Sequence, residues 1–295
     1  MSTEGTSRRY SELDLWPTAD AVMAMFEGQL AAAAAVKDQV GSLARAAEEA
    51  ARRLEDPSGR LIYAGAGTSG RLAVLDGVEL EPTFGWSRER LIYAIAGGRD
   101  ALSGSVENAE DDEESGQELI RSARLNENDV VIAVSASGTT PYTLAFVREA
   151  RAAGALTIAL SNNVGSPLLD AAAHPILLDT GGELLTGSTR MKAGTAQKIA
   201  LNLLSTGIML RLGRVYDNLM VDMRVSNRKL RARAIAIVAK ISGANDRDSQ
   251  SALDLAKSSI KLAVLIAMGL SRDDAAQLLV TSRGNLRSAI GAFRG

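Results

Sequence analysis

Short apolar runs at 61–64, 91–95, 130–134, 156–160 and 175–178 punctuate the first two thirds of the chain, and stretches of helical period separate most of them. Continuous apolar strands alternating with helices predict an α/β fold, a doubly wound parallel sheet covered on both faces. Ahead of the first strand, residues 19–54 are rich in Ala, Glu, Lys and Arg, and Gly41 divides them into two helices. Thr18 reads as the N-cap of the first, with Asp20 in its opening turn. Residues 1–17 are polar and read as an arm, and Pro57-Ser58-Gly59 closes the helical preface. After Gly181-Gly182 a long helix is predicted over 188–212, and the chain is helical beyond Asn227. From 242 onward, amphipathic segments broken near Ser258, Gly269 and Gly284 predict a small separate three-helix unit. The domains expected are residues 1–58, 59–235 and 236–295.

Composition narrows the chemistry. With 295 residues, 46% apolar and 23% charged, the chain is an ordinary globular one. A net charge of -2 offers no electrostatic footprint for nucleic acid or an anionic membrane. The chain has no cysteine and a single histidine, His174, so thiolate chemistry and multi-histidine metal sites are excluded. Apolar stretches fall short of a membrane span, and Arg8-Arg9 runs into polar sequence. The expectation is a cytoplasmic protein with no cofactor and no metal. Its chemistry would come from carboxylates, hydroxyls, lysines and backbone amides.

Two loops carry that chemistry. Gly65-Ala66-Gly67-Thr68-Ser69-Gly70 follows the first strand in the G-x-G-x-x-G pattern of a dinucleotide site. Such a site wants an acidic residue at the tip of the second strand, and this strand ends Ala94-Ile95-Ala96-Gly97-Gly98. A smaller anion suits the loop better: the backbone comes close, the helix N-terminus offers free N–H groups, and Thr68 and Ser69 add hydroxyls. After the third strand, Ser135, Ser137, Gly138, Thr139 and Thr140 repeat the device ahead of Pro141. Together the loops predict a phosphate site at the switch point of the sheet; simple helix capping is the alternative for either alone.

At these residues the chain resembles the sugar isomerase (SIS) domain, which binds phosphosugars. More specifically, Gly65 to Leu72 with Leu75-Asp76 and Glu79, Pro82 to Gly85, Ala96-Gly97-Gly98 and Val106 to Asp111 are similar to the N-acetylmuramic acid 6-phosphate etherase family. So is Thr186-Gly187-Ser188-Thr189-Arg190-Met191-Lys192-Ala193-Gly194-Thr195-Ala196-Gln197-Lys198, continuing through Leu203 to Gly207 and Asn218 to Asp222. The resemblance implies an SIS domain over 59–235 and a ubiquitin-associated-like helical domain over 236–295. It implies cleavage of the D-lactyl ether of N-acetylmuramic acid 6-phosphate by elimination and hydration, giving N-acetylglucosamine 6-phosphate and D-lactate in peptidoglycan recycling. It also implies Glu79 as proton donor, Glu110 as the second catalytic glutamate, and Gly67, Thr68, Ser69, Ser135, Ser137, Gly138 and Thr140 as substrate and phosphate ligands. A homodimer whose pocket is completed across the interface follows from the same resemblance.

Read without it, these residues leave alternatives. Glu79 sits among Val78, Leu80 and Pro82, a setting that raises a carboxyl pKa if buried, or it is a partly exposed helix-end glutamate. Glu110 lies in an acidic run with Glu107, Asp111, Asp112, Glu113 and Glu114, and on a helix Glu107 and Glu110 share a face. Spacing does not choose between those two as base. His174 reads as structural, Lys192 and Arg190 as ligands for a lactyl carboxylate or as packing residues, and Glu183 as a pocket-lining candidate. Leu80-Glu81-Pro82 stands where the family carries a small residue and two prolines, and Thr139 where an arginine is common, which leaves substrate preference open. Rival functions are a non-catalytic phosphosugar regulator resembling glucokinase regulatory protein and an SIS-type sugar-phosphate isomerase.

Overall fold

A computed structural model describes residues 3–295. Residues 1–2, the start of the expected arm, lie outside the described residues. In chain order the elements are α1 (Thr18–Lys37), α2 (Val40–Leu54), β1 (Leu61–Gly65), α3 (Gly67–Val78), α4 (Leu80–Phe84), β2 (Leu91–Ile95), α5 (Glu113–Ala123), β3 (Val130–Ser135), α6 (Pro141–Ala152), β4 (Leu156–Ser161), α7 (Pro167–Ala171), β5 (His174–Leu177), α8 (Lys192–Arg211), β6 (Val215–Tyr216), β7 (Leu219–Met220), α9 (Arg228–Ser242), α10 (Asp246–Leu255), α11 (Ile260–Ala267), α12 (Arg272–Thr281) and α13 (Leu286–Arg294). They form two compact units. One runs up to Gly77 and from Glu89 to Ile208; the other joins Val78–Arg88 to Met209–Gly295.

The first unit is the α/β sheet expected from the sequence. Its five parallel strands stand in the order β2-β1-β3-β4-β5. Strands β1, β3 and β4 are buried along their whole length, which is why they read as continuous apolar runs rather than alternating ones. One face of the sheet packs Ile62, Val131 and Ala133 against Phe146, Val147 and Ala150 of α6. The chain leaves β1 toward β2 on one side and takes up β3 on the other, so the loops after β1 and β3 flank the switch point. At the opposite end of β3, Asp129 is fully buried and accepts bonds from Arg60 Nε (3.0 Å) and Nη2 (2.7 Å) and from the Asn126 N–H (3.0 Å). That ion pair raises the Arg60 pKa and locks the base of the sheet.

Helix α1 begins one residue earlier than capping chemistry suggested. Pro17 holds the cap position, and its carbonyl accepts from the Asp20 and Ala21 N–H groups. The helix buries a stripe of small residues, Ala24, Gly28, Ala32 and Val36, and exposes Val22, Met23, Phe26 and Leu30. By length and composition alone α1 could cross a membrane, its mean hydropathy reaching 1.2. The alanine run that lifts this value lies beside Glu27 and Lys37.

In the second unit, a short β6–β7 hairpin and helices α9 to α13 enclose a core that includes Val221, Ile237, Val238, Leu253, Ile260, Val264, Leu265, Leu286 and Ile290. Four helices follow Gly243 where the periodicity suggested three. Asn245, Ser259, Ser271 and Asn285 each open one by accepting a backbone N–H from three residues ahead.

The segment Val78–Arg88 is a strap of this second unit. The Pro82 carbonyl accepts the Arg224 N–H at 3.1 Å, and the Arg214 guanidinium lies 5.7 Å from the Trp86 ring centre. Gly85 has φ +62°, and a Cβ there would meet the Asp222 carbonyl oxygen at 2.6 Å, so only glycine lets the strap lie this close. Glu81 is ion-paired with both Arg88 and Arg224, and the Arg88 bond is the main reason its carboxyl is held below its usual range.

Candidate active site

Both hydroxyl loops open into one polar cavity of about 200 Å³ at the switch point. Gly67, Thr68, Ser69, Ser135, Ser137, Thr140 and Glu110 line it, joined by Glu4 and Thr189. The first loop becomes helix within two residues of β1. The first bond of α3 runs from the Gly70 N–H to the Ala66 carbonyl (2.9 Å), leaving the earlier N–H groups of the turn for a ligand. In the second loop, Ser137 Oγ accepts from the Thr139 N–H (3.2 Å) and hydroxyl (3.1 Å) and lies 3.4 Å from Ser135 Oγ. Ser135 Oγ accepts the Gly138 N–H (3.0 Å) and lies 2.9 Å from Thr140 Oγ1. Gly138 is thus bound beneath the loop, against Ser161 and Ser166, and does not line the cavity.

The acidic run does not form the single helix its composition suggested. Asn108 takes a left-handed conformation (φ +58°), residues Ala109–Asp111 make one 3₁₀ turn, and α5 begins only at Glu113. Asp112 caps α5, accepting from the Ser115 N–H (3.0 Å) and hydroxyl (2.5 Å), and these bonds lower its pKa. Glu107 and Glu110 therefore do not share a helix face, and the structure sends them to different places. Glu110 enters the hydroxyl cradle, with a carboxylate oxygen 2.8 Å from where a Gly67 Cβ would stand. Glu107 lines a separate cavity of about 540 Å³ with Gly97, Gly98, Val106 and Tyr142. The Tyr142 hydroxyl there is pushed up to about 12 by burial and the Asp112 carboxylate. Arg71 of the first loop's helix steadies the chain ahead of this turn, donating to the carbonyls of Ala101 (2.8 Å) and Gly104 (2.5 Å).

Glu79 is not among the residues lining the cradle. It stands exposed at the start of α4, on the strap of the second unit. His174 pairs with Glu49 (2.8 Å), a structural contact. Glu183 is fully buried and caps α8, accepting the N–H groups of Lys192 (3.0 Å) and Ala193 (2.9 Å). Lys192 donates its ammonium to the Gly182 carbonyl (2.6 Å), and Arg190 is exposed. Sequence reasoning passed over Glu4, because nothing in a polar terminal segment announces where it folds back.

A five-stranded 2-1-3-4-5 sheet with paired hydroxyl loops at its switch point defines a protein of the SIS class. Three family models agree: the N-terminal SIS domain of glucokinase regulatory protein over residues 42–150, the SIS domain over 111–207, and the C-terminal lid domain of glucokinase regulatory protein over 217–282. A candidate phosphosugar isomerase involved in capsule formation from Bacteroides fragilis superposes with a TM-score of 0.50 at 18% identity, over 68% of this chain and 95% of that one. Within the class, the chain belongs to the N-acetylmuramic acid 6-phosphate etherase family. It is 48% identical to the Deinococcus radiodurans N-acetylmuramic acid 6-phosphate etherase over 98% of this chain and 95% of that one. The Streptomyces coelicolor etherase is 46% identical over 100% and 95%.

Proposed function

We propose that this chain is a carbon–oxygen lyase that cleaves the D-lactyl ether of N-acetylmuramic acid 6-phosphate, a reaction of peptidoglycan recycling. The observation that carries the reading is the meeting of both hydroxyl loops and Glu110 in one cavity, in a chain similar to etherases from end to end. Thr68, Ser69, Ser135, Ser137 and Thr140 hold the phosphate with the N-terminus of α3, and Gly67 and Gly138 shape the loops. Glu110 takes the C2 proton of the open-chain sugar. The C2–H electrons form the C2–C3 double bond as the C3–O bond breaks, and a proton donor, assigned to Glu79 by the family resemblance alone because it does not line the cradle, protonates the departing lactate oxygen. Water then adds its oxygen to C3 and a proton to C2, giving N-acetylglucosamine 6-phosphate. The steps are proton transfers, an elimination and a hydration, which call for one proton acceptor and one proton donor.

The same reading accounts for Glu81. Its carboxylate is committed to Arg88 and Arg224, so the departure from the family pattern serves the strap rather than the substrate. We place the enzyme in the cytoplasm, where a phosphorylated sugar is retained. We also propose that two copies pair through α1, whose exposed Val22, Met23, Phe26 and Leu30 form a contiguous apolar stripe, and that pairing completes the pocket. The regulator reading draws on the glucokinase regulatory protein models, but the full-length relatives bear the etherase name.

Incubation with N-acetylmuramic acid 6-phosphate and quantification of D-lactate tests the proposal, with Glu79→Gln and Glu110→Gln alongside. Lactate from the wild type, lost in both variants, is the expected result. A folded protein that binds the phosphosugar and releases no lactate would leave the regulator instead.

A further inference from the structure

The N-terminal arm folds back onto the cradle. Thr3 is fully buried, and its N–H donates to Asn163 Oδ1 at 2.8 Å. The Asn163 amide returns a bond to Thr3 Oγ1 (3.1 Å) and another to the carbonyl of Ser137 in the second hydroxyl loop (3.3 Å). The next residue, Glu4, lines the cavity, with its carboxylate 3.1 Å from where a Gly187 Cβ would stand. Ordering a polar segment costs conformational entropy, about 1–2 kcal/mol per residue, and here the fixed segment carries a carboxylate into the cavity.

We propose that Glu4 is a further substrate-binding residue, delivered by the arm, which accepts a hydrogen bond from a donor of the sugar, a hydroxyl or the acetamido N–H. The argument is one of charge. Among the described residues no Lys, Arg or His lines the cradle, so a carboxylate there repels the phosphate dianion and does not serve as its ligand. An ionised carboxylate is an acceptor only, and the donors an N-acetylated phosphosugar brings besides its phosphate are its hydroxyls and its acetamido N–H. Glu4 thus separates a phosphosugar from bare phosphate, a discrimination that the hydroxyl loops alone do not make. Thr3 and Asn163 act through Glu4 as positioning residues.

The inference rests on the phosphosugar reading above, and binding tests it separately from turnover. Affinities for N-acetylglucosamine 6-phosphate and for inorganic phosphate are measured by calorimetry on the full chain and on Glu4→Ala and Glu4→Gln. Glu4→Ala should weaken the phosphosugar about tenfold or more, the scale of a hydrogen bond to a charged group, with Glu4→Gln falling in between. Inorganic phosphate should bind the variants as well as or better than wild type. Unchanged phosphosugar affinity in Glu4→Ala, or an equal loss for both ligands, would overturn the proposal. A wild type that binds the phosphosugar but releases no lactate would defeat the etherase reading and leave the Glu4 result readable.

Discussion

Gly67 is where backbone geometry and the proposed base meet. Its φ of +53° lies in the left-handed region, and an added methyl would stand 2.8 Å from the Glu110 carboxylate. Gly67→Ala should therefore cost about 1–2 kcal/mol of stability by its conformation alone. It should also displace Glu110 and lower the lactate release rate at least tenfold, since small misplacements of a reacting group are expensive. Thermal melts and lactate assays on one preparation check both. At this scale the sequence was partly legible. Hydroxyls and glycines at strand ends announced the cradle, because their chemistry is local. The acidic run misled, because helical periodicity does not register Asn108 turning left-handed or Asp112 spending its carboxylate on the Ser115 N–H. Only the family resemblance singled out Glu110, and the broken helix supplies the physical reason that Glu107 goes elsewhere.

Among the elements, the strap Val78–Arg88 depends on ion pairs that titrate. Glu81 has its pKa depressed by Arg88 first and by Arg224. A depressed carboxyl stabilises the fold above its unfolded pKa and loses that contribution as pH falls through the folded value. The melting temperature should therefore fall below the ordinary carboxylate range, and Glu81→Gln should remove that part of the acid dependence. Beneath the strap, Lys261 is ion-paired with Asp222 at 2.5 Å and only 8% of its side chain is exposed. Burial raises the Asp222 pKa and lowers that of Lys261, each shift partly offset by the partner. Breaking such a pair leaves a buried charge, so Asp222→Leu alone should cost about 3–5 kcal/mol. The double variant Asp222→Leu/Lys261→Met should recover a part of that, visible as a coupling of about 1–3 kcal/mol in denaturant melts. The individual strands and helices were legible from apolar runs and N-cap residues. The strap's attachment was not, since Pro82 and Arg224 meet across more than a hundred residues.

For the whole molecule, the exposed stripe on α1 leads to an association test. Phe26→Glu with Leu30→Glu should convert a dimer to a monomer in light scattering and abolish lactate release while leaving the far-ultraviolet circular dichroism unchanged. A monomeric wild type with full activity would remove the pairing from the mechanism. The parallel sheet was readable from its pattern, because strands buried on both faces carry their whole environment in their composition. The grouping of Val78–Arg88 with Met209–Gly295 was not, because contacts between distant segments decide which residues share a core. That grouping also bears on how such a protein can change over evolutionary time. Eleven residues, Val78–Arg88, which begin at the last residue of α3, are built into the unit completed by Met209–Gly295. The C-terminal helices are therefore not a cassette that recombination could trim away or exchange at a single splice. A gene ending near residue 208 would encode a sheet with an orphaned insert, so the two units have to be inherited together.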